Sequence, residues 1–458
     1  MSRTPAPRGI ALLGLASSSF LVVLDAAMTN LAGPFIREGL GLTAAELTLV
    51  ASGYLVPLAG LLLLGGRLAD VVGGRRIYLA GMVVYLAATA FCAFAVNSPM
   101  LIAGRIGQGI GGAIVIPSAL ALALAVSATP AERTRIVGIW GAVSGAGGVL
   151  GFLLGGVLTQ AFGWPAVFWA PVPVGLLSMA LVLRSVPAVH GRPGRIDVPG
   201  AITITGGISA IAYGVVSASA SRWTGPGSFI AIAAGVAFLA AFVAVERRAA
   251  HPLVPPALFR RGPVIRASVV VVLLGGVFGS MFFLLPQYLQ QVQGLDARSA
   301  GLAQAPLPLM IIVGSALAPF AARSLGLARA CTAGLLLLLA GFTWLLLNPA
   351  DGGYSAHTAA AFVLLGAGAG VGLVNAIAIA VRDAAEGESG LLSGLVSAAQ
   401  QIGAAAGVAV LGGIAIGADG ETDFTAAFLG QTVLVLVALG LSLIPNTRVE
   451  RVPAVERV

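Results

Sequence analysis

With 458 residues, 58% of them hydrophobic and only 9% charged, and a mean hydropathy of +1.00, the chain is far too apolar for a soluble domain, which carries roughly 25% charged residues. Its formal charge of +8 comes from 25 arginines and no lysine, strung along short connections rather than gathered in one patch, which argues against a nucleic-acid partner. The two cysteines lie in apolar runs and the three histidines (His190, His251 and His357) in separate loops, so no haem, zinc or other metal site is expected.

Apolar windows of about 20 residues predict fourteen membrane-spanning segments. They fall at 9–34, 46–69, 77–96, 99–126, 134–159, 165–184, 198–219, 227–246, 264–291, 299–322, 329–347, 355–381, 389–416 and 425–444. Runs of this length satisfy their backbone within helices and exclude barrel strands, so the fold class is an all-α polytopic membrane protein. Placing the N-terminus inside puts 21 of the 25 arginines in cytoplasmic connections, leaving Arg37, Arg222 and Arg298 outside and Arg105 within a span. That asymmetry predicts cytoplasmic termini at both ends. Two longer Pro- and Arg-rich connections, 185–198 and 246–263, divide the chain into six, two and six helices. The expected organisation is an N-terminal six-helix bundle (1–190), two inserted helices with cytoplasmic linkers (191–262) and a C-terminal six-helix bundle (263–458).

The first span, Phe20–Ile36, reads FLVVLDAAMTNLAGPFI and places Asp25 inside apolar sequence. A carboxylate at that depth costs at least about 2.5–3.5 kcal/mol on insertion scales and marks a functional site. The apolar run continues well past signal-peptide length with no convincing cleavage site, so it is read as an uncleaved helix. After the second span, which carries Tyr54, comes GGRLADVVGGRR (Gly65–Arg76). Here Gly66 is expected to allow close helix approach, and Gly73 to bend the turn. Asp70 is expected to clamp Arg75 across helix ends by a charge-assisted bond, with Arg76 beside it.

The fourth span holds LIAGRIGQGIGGAIVIP (Leu101–Pro117), with Arg105 and Gln108 among glycines 104, 107, 109, 111 and 112. In the fifth, Gly141, Gly145, Gly147, Gly151 and Gly155 are expected to form a smooth packing face. Then follow FGWPAVFWAPVPVG (Phe162–Gly175), HPLVPPALFRR (His251–Arg261) and LPQYLQQVQGLDARSAGL (Leu285–Leu302).

These motifs resemble those of the major facilitator superfamily. Gly66-x-Leu-Ala-Asp-x-x-Gly-x-Arg-Arg is similar to its second-to-third-helix signature, with Val71 and Gly74 where basic residues usually stand. Arg105-x-x-Gln-Gly-x-Gly-Gly is similar to its fourth-helix motif. Leu24-Asp25 through Asn30 and Pro34, with the two extra helices, resembles the fourteen-helix drug:proton antiporters, although Ala27 displaces a usual threonine. The fifth span departs from the antiporter pattern, since Ala146 and Phe152 replace prolines, and Pro165 and Pro171 replace the sixth helix's usual Arg and Asn.

The resemblance implies two six-helix bundles plus two inserted helices, rocking around a midplane cavity. It implies proton coupling through Asp25 and Arg105 and a cytoplasmic gate at Gly66, Asp70, Gly73, Arg75 and Arg76. Cavity candidates are Asn30, Tyr54, Gln108, Gln287, Gln290, Asn375, Gln400 and Gln401, with helix packing through Gly141, Gly145, Gly151 and Gly155. No span of the second half holds an acid, which favours neutral, weakly anionic or monovalent substrates.

The expected function is proton-coupled export of small lipophilic drugs or antibiotics across the cytoplasmic membrane of a bacterium. The proton is the coupling ion, no other cofactor is expected, and the chain is expected to act as a monomer. An importer or facilitator on the same fold, favoured by the missing prolines, remains an alternative, as does a non-transporting sensor. No nucleophile–base pair suggests an enzyme.

Overall fold

The computed structural model describes residues 8–125, 130–187, 197–220, 225–249, 262–347, 356–381, 389–416 and 423–444. His190, His251, Arg382 and the acids Asp351, Asp383, Glu386, Glu388, Asp419 and Glu421 lie outside the described residues, as does most of both long connections. The described residues form sixteen helices. They are α1 (Arg8–Leu40), α2 (Ala44–Val72), α3 (Gly74–Ala93), α4 (Ser98–Ala125), α5 (Pro130–Phe162), α6 (Ala166–Trp169), α7 (Pro171–Ser185) and α8 (Val198–Ala220). There follow α9 (Pro226–Arg248), α10 (Gly262–Gln291), α11 (Ala297–Gln304), α12 (Pro306–Leu325), α13 (Leu327–Leu347), α14 (Ala356–Val381), α15 (Ser389–Ile414) and α16 (Phe424–Leu443).

Sixteen helices make fourteen spans because two spans are broken. The sixth is α6 plus α7, interrupted before Pro171, and the tenth is α11 plus α12, interrupted before Pro306. Proline lacks the N–H needed to continue the ladder and its ring crowds the preceding turn. Other joints are equally local. Gly41 (φ 63) ends α1, and Thr43 and Glu46 form a reciprocal capping box at the start of α2. Gly73 (φ 112) ends α2 and begins α3, a backbone conformation that only glycine adopts without strain.

In the first half, α1 lies along α5 and α7, while α4 is held between α2 and α3. In the second, α10 lies along α15, and α14 along α12 and α13. The inserted pair α8–α9 packs on itself, with α8 also touching α2 and α15 at the seam between the halves. The largest apolar cluster belongs to the second half but takes in Ala27, Leu31 and Phe152 from α1 and α5. The halves are therefore in contact through α1, α5 and α2.

That contact includes hydrogen bonds toward the Leu40 end of α1. Gln160 of α5 donates to the Asp296 carboxylate (3.1 Å), and the Arg298 amide donates to Gln160 (3.3 Å). Gln290 of α10 donates to the Leu31 carbonyl of α1 (2.8 Å). Thr48 of α2 lies against Gly412 of α15. Asp296, just before the start of α11, is held below the usual carboxylate range by the Ser299 side chain and amide and by Gln160.

Candidate functional site

Glycine spacing in α4 builds the site. Gly104 faces Cys92 and Phe91 of α3, and Gly111 faces the Tyr85 backbone; Gly109 faces the Tyr54 backbone of α2. With no Cβ on either flank, α4 seats close to both neighbours. Arg105 and Gln108 then have nowhere to project except inward, toward α1. On α1, Leu24, Ala27 and Met28 meet Gly151 and Gly155 of α5. Asp25, one residue on from Leu24 and rotated about 100°, is turned off that face.

The result is a closed polar network in apolar surroundings. Asp25 is fully buried, and Arg105 is 2% exposed. Arg105 Nη1 donates to Asp25 Oδ2 (3.2 Å) and to Gln108 Oε1 (2.8 Å). Gln108 Nε2 donates to both Asp25 oxygens (3.2 and 3.3 Å) and to Thr89 Oγ1 (2.8 Å). The Arg105 guanidinium lies 4.4 Å from the centroid of the Tyr54 ring, a cation–π contact strengthened by desolvation. The Tyr85 hydroxyl faces Asp25 without reaching hydrogen-bond geometry, and the buried Tyr54 hydroxyl and Arg105 Nε also lack partners among the described residues.

The other expected residues fall elsewhere. Asn30, five residues on from Asp25, is half-buried. Gln287 and Asn375 are buried and donate to carbonyls of their own helices, Phe283 (2.9 Å) and Val371 (2.9 Å). Gln290 crosses to α1, and Gln400 and Gln401 are half-buried on α15. None of these second-half residues has a described contact with Asp25.

Two expectations are corrected at the loop between α2 and α3. Asp70 is exposed and does not pair with Arg75, which instead donates to the Leu183 carbonyl of α7 (2.9 Å). Gly73 points α3 so that Arg75 lies beside α7, while Arg76 stays exposed. The close approach belongs to Gly65, not Gly66. A Cβ on Gly65 would run into the Ala113 carbonyl of α4, whereas one on Gly66 would lie 3.6 Å from Pro117. One residue is a 100° rotation; both glycines look onto α4, but only Gly65 meets its backbone.

The fifth-span glycines also form more than one face. Gly147, Gly151 and Gly155 meet α1, while Gly145 meets Ile312 of α12. Gly141 lies within α5, but its surroundings are outside the described residues.

Sequence reasoning missed Thr89 and Tyr85 and saw in Cys92 only one of two cysteines lying in apolar runs. The signal was there: Tyr85, Thr89 and Cys92 follow i, i+4, i+7 spacing on an otherwise apolar helix, which is one face. It also missed two buried pairs of the second half, Gln431 donating to Ser280 (2.9 Å) and Gln293 to Thr358 (2.8 Å).

The family model described as Major Facilitator Superfamily matches residues 15–408. The chain belongs to this superfamily. It is a multi-pass membrane transporter rather than an enzyme. It is 34% identical to the cephamycin export protein CmcT of Amycolatopsis lactamdurans, over 93% of this chain and 90% of that one. It is 36% identical to the puromycin resistance protein pur8 of Streptomyces alboniger, over 92% and 83%. Among solved structures it superposes on the POT family transporter PepTSo with a TM-score of 0.70 at 15% identity, covering 96% of this chain and 97% of that one. This last likeness concerns the fold.

Proposed function

We propose that the protein is a proton-coupled antiporter exporting small lipophilic compounds, antibiotics among them, across the cytoplasmic membrane by alternating access. The observation that carries this reading is the buried Asp25–Arg105–Gln108 network. Burial opposes ionisation of a carboxyl, while a guanidinium and a donated amide favour it. A group balanced between such effects changes protonation when its surroundings change. Export of cephamycin and resistance to puromycin, named for the two relatives, support antibiotics as the substrate class.

The arginine asymmetry supports cytoplasmic termini. On that placement the Leu40 face is the outer one, and this conformer is sealed toward the outside by the contacts of α5, α1 and α2 with α11, α10 and α15. Reorientation opens that face, a proton reaches Asp25, and the released Arg105 and Gln108 reset the first half. The amides of Gln287, Gln290, Asn375, Gln400 and Gln401, with Asn30, supply hydrogen bonds to a neutral or weakly charged substrate. The lack of an acid in the second-half spans of the sequence implies a low proton count, and one chain, holding both halves, acts as a monomer.

The test uses purified protein in inside-out proteoliposomes with an acid interior. Wild type is expected to accumulate puromycin and Asp25→Asn to lose gradient-driven accumulation. Undiminished accumulation by the variant ends the proposal.

A further inference from the structure

We propose that Thr89 of α3, with Cys92 one turn on, is a positioning residue: it sets which end of the Gln108 amide faces Asp25, and so the pH at which Asp25 exchanges its proton. This rests on the proton-coupling reading above.

The argument is one of hydrogen-bond direction. A backbone carbonyl only accepts, and Thr89 Oγ1 lies 2.7 Å from the Tyr85 carbonyl oxygen, so the single hydroxyl proton is committed there. What remains on Thr89 Oγ1 is lone pairs. Gln108 approaches that oxygen at 2.8 Å and must present Nε2, the donor. The other end of the amide follows: Oε1 accepts from Arg105 Nη1 at 2.8 Å and lies 3.7 Å from the Cys92 thiol, whose single proton is shared with the Leu101 carbonyl at 3.9 Å. The second Nε2 hydrogen is thereby aimed at the Asp25 carboxylate, 3.2 and 3.3 Å away.

A reversed amide would set an oxygen against the carboxylate and an NH2 against both the guanidinium and the thiol. Thr89 and Gln108 are each fully buried, so the choice is made by protein groups. The titratable and charged groups facing Asp25 are Arg105 from α4, Tyr54 from α2, and Tyr85 and Cys92 from α3. Gln108 is a neutral member of this set whose effect on the carboxyl depends on which end it presents.

The test is pH-difference infrared spectroscopy on the full-length protein reconstituted in liposomes. A carboxyl C=O band present in wild type and absent from Asp25→Asn reports Asp25 directly, with no substrate needed. Thr89→Val keeps the shape and removes the acceptor. Because a donated N–H favours the ionised carboxyl, this variant is expected to move the band's midpoint upward by about one pH unit. Thr89→Ala, which adds no bulk, is expected to do the same, and Thr89→Ser to keep the wild-type midpoint. An unmoved midpoint in Thr89→Val or Thr89→Ala overturns the orienting role alone. So does a shift in Thr89→Ser as large as in Thr89→Val, which would assign the effect to packing. Absence of any titrating band that depends on Asp25 overturns the coupling reading itself, and the orienting role with it.

Discussion

At the scale of single residues, the site turns on one ion pair that neither water nor lipid can replace. Removing one member of a buried pair leaves the other uncompensated, a cost of about 3–5 kcal/mol. Arg105→Gln is therefore expected to lower the unfolding free energy of the purified protein by about that amount. The double variant Asp25→Asn/Arg105→Gln is expected to recover most of it, since no charge is left behind. Thermal unfolding of the two, compared with Asp25→Asn alone, gives the coupling, and simple additivity would contradict it. Asp25, Arg105, Gln108 and Tyr54 could be picked out in the sequence because polar side chains in apolar spans are rare and costly. Thr89 was harder to read, since a lone threonine in a helix ordinarily bonds its own backbone; here it does that and accepts from Gln108 as well.

At the scale of helices, small residues decide how near two axes come. Gly65→Ala is expected to destabilise by about 2–3 kcal/mol, because its Cβ meets the backbone of Ala113, which cannot swing aside. Gly66→Ala is expected to be close to neutral, since its Cβ has ordinary room beside Pro117. Unfolding midpoints of the two purified variants check the contrast, and equal midpoints would refute the assignment of the contact to Gly65. Gly73→Ala belongs with the first: a φ of 112° imposes backbone strain of about 1–3 kcal/mol on any residue with a side chain. The spacing of these glycines is visible in sequence, whereas which of two adjacent glycines faces the neighbour depends on helix rotation.

At the scale of the whole molecule, alternating access requires the Leu40 face to part. Thr48 and Gly412 offer a lock there, between α2 of one half and α15 of the other. A Cβ at position 412 would lie 2.9 Å from the Thr48 Cγ2 and 3.3 Å from its Oγ1, close to the geometry a disulfide needs. The double variant Thr48→Cys/Gly412→Cys is expected to cross-link on oxidation and stop transport, with recovery on adding reductant. Transport that persists in fully cross-linked protein would show that this face does not move. The native Cys92 and Cys331 are buried and stay out of the reaction.

What the sequence determined by itself follows from the solvent it must fit. Lipid requires runs of about 20 apolar residues whose backbone is satisfied within each run. Fourteen such runs, the cost of Asp25 within one of them and the arginine asymmetry are therefore one-dimensional properties, readable along the chain. Only the tertiary structure decided which groups meet. It paired Asp25 with Arg105 across 80 residues, placed Thr89 and Cys92 behind Gln108, sent Arg75 to Leu183 in place of Asp70, and joined the halves through α1, α2 and α5. Spacing fixes where a side chain stands around its own helix. The rotation of that helix and the choice of its neighbour are settled only when all the helices pack together.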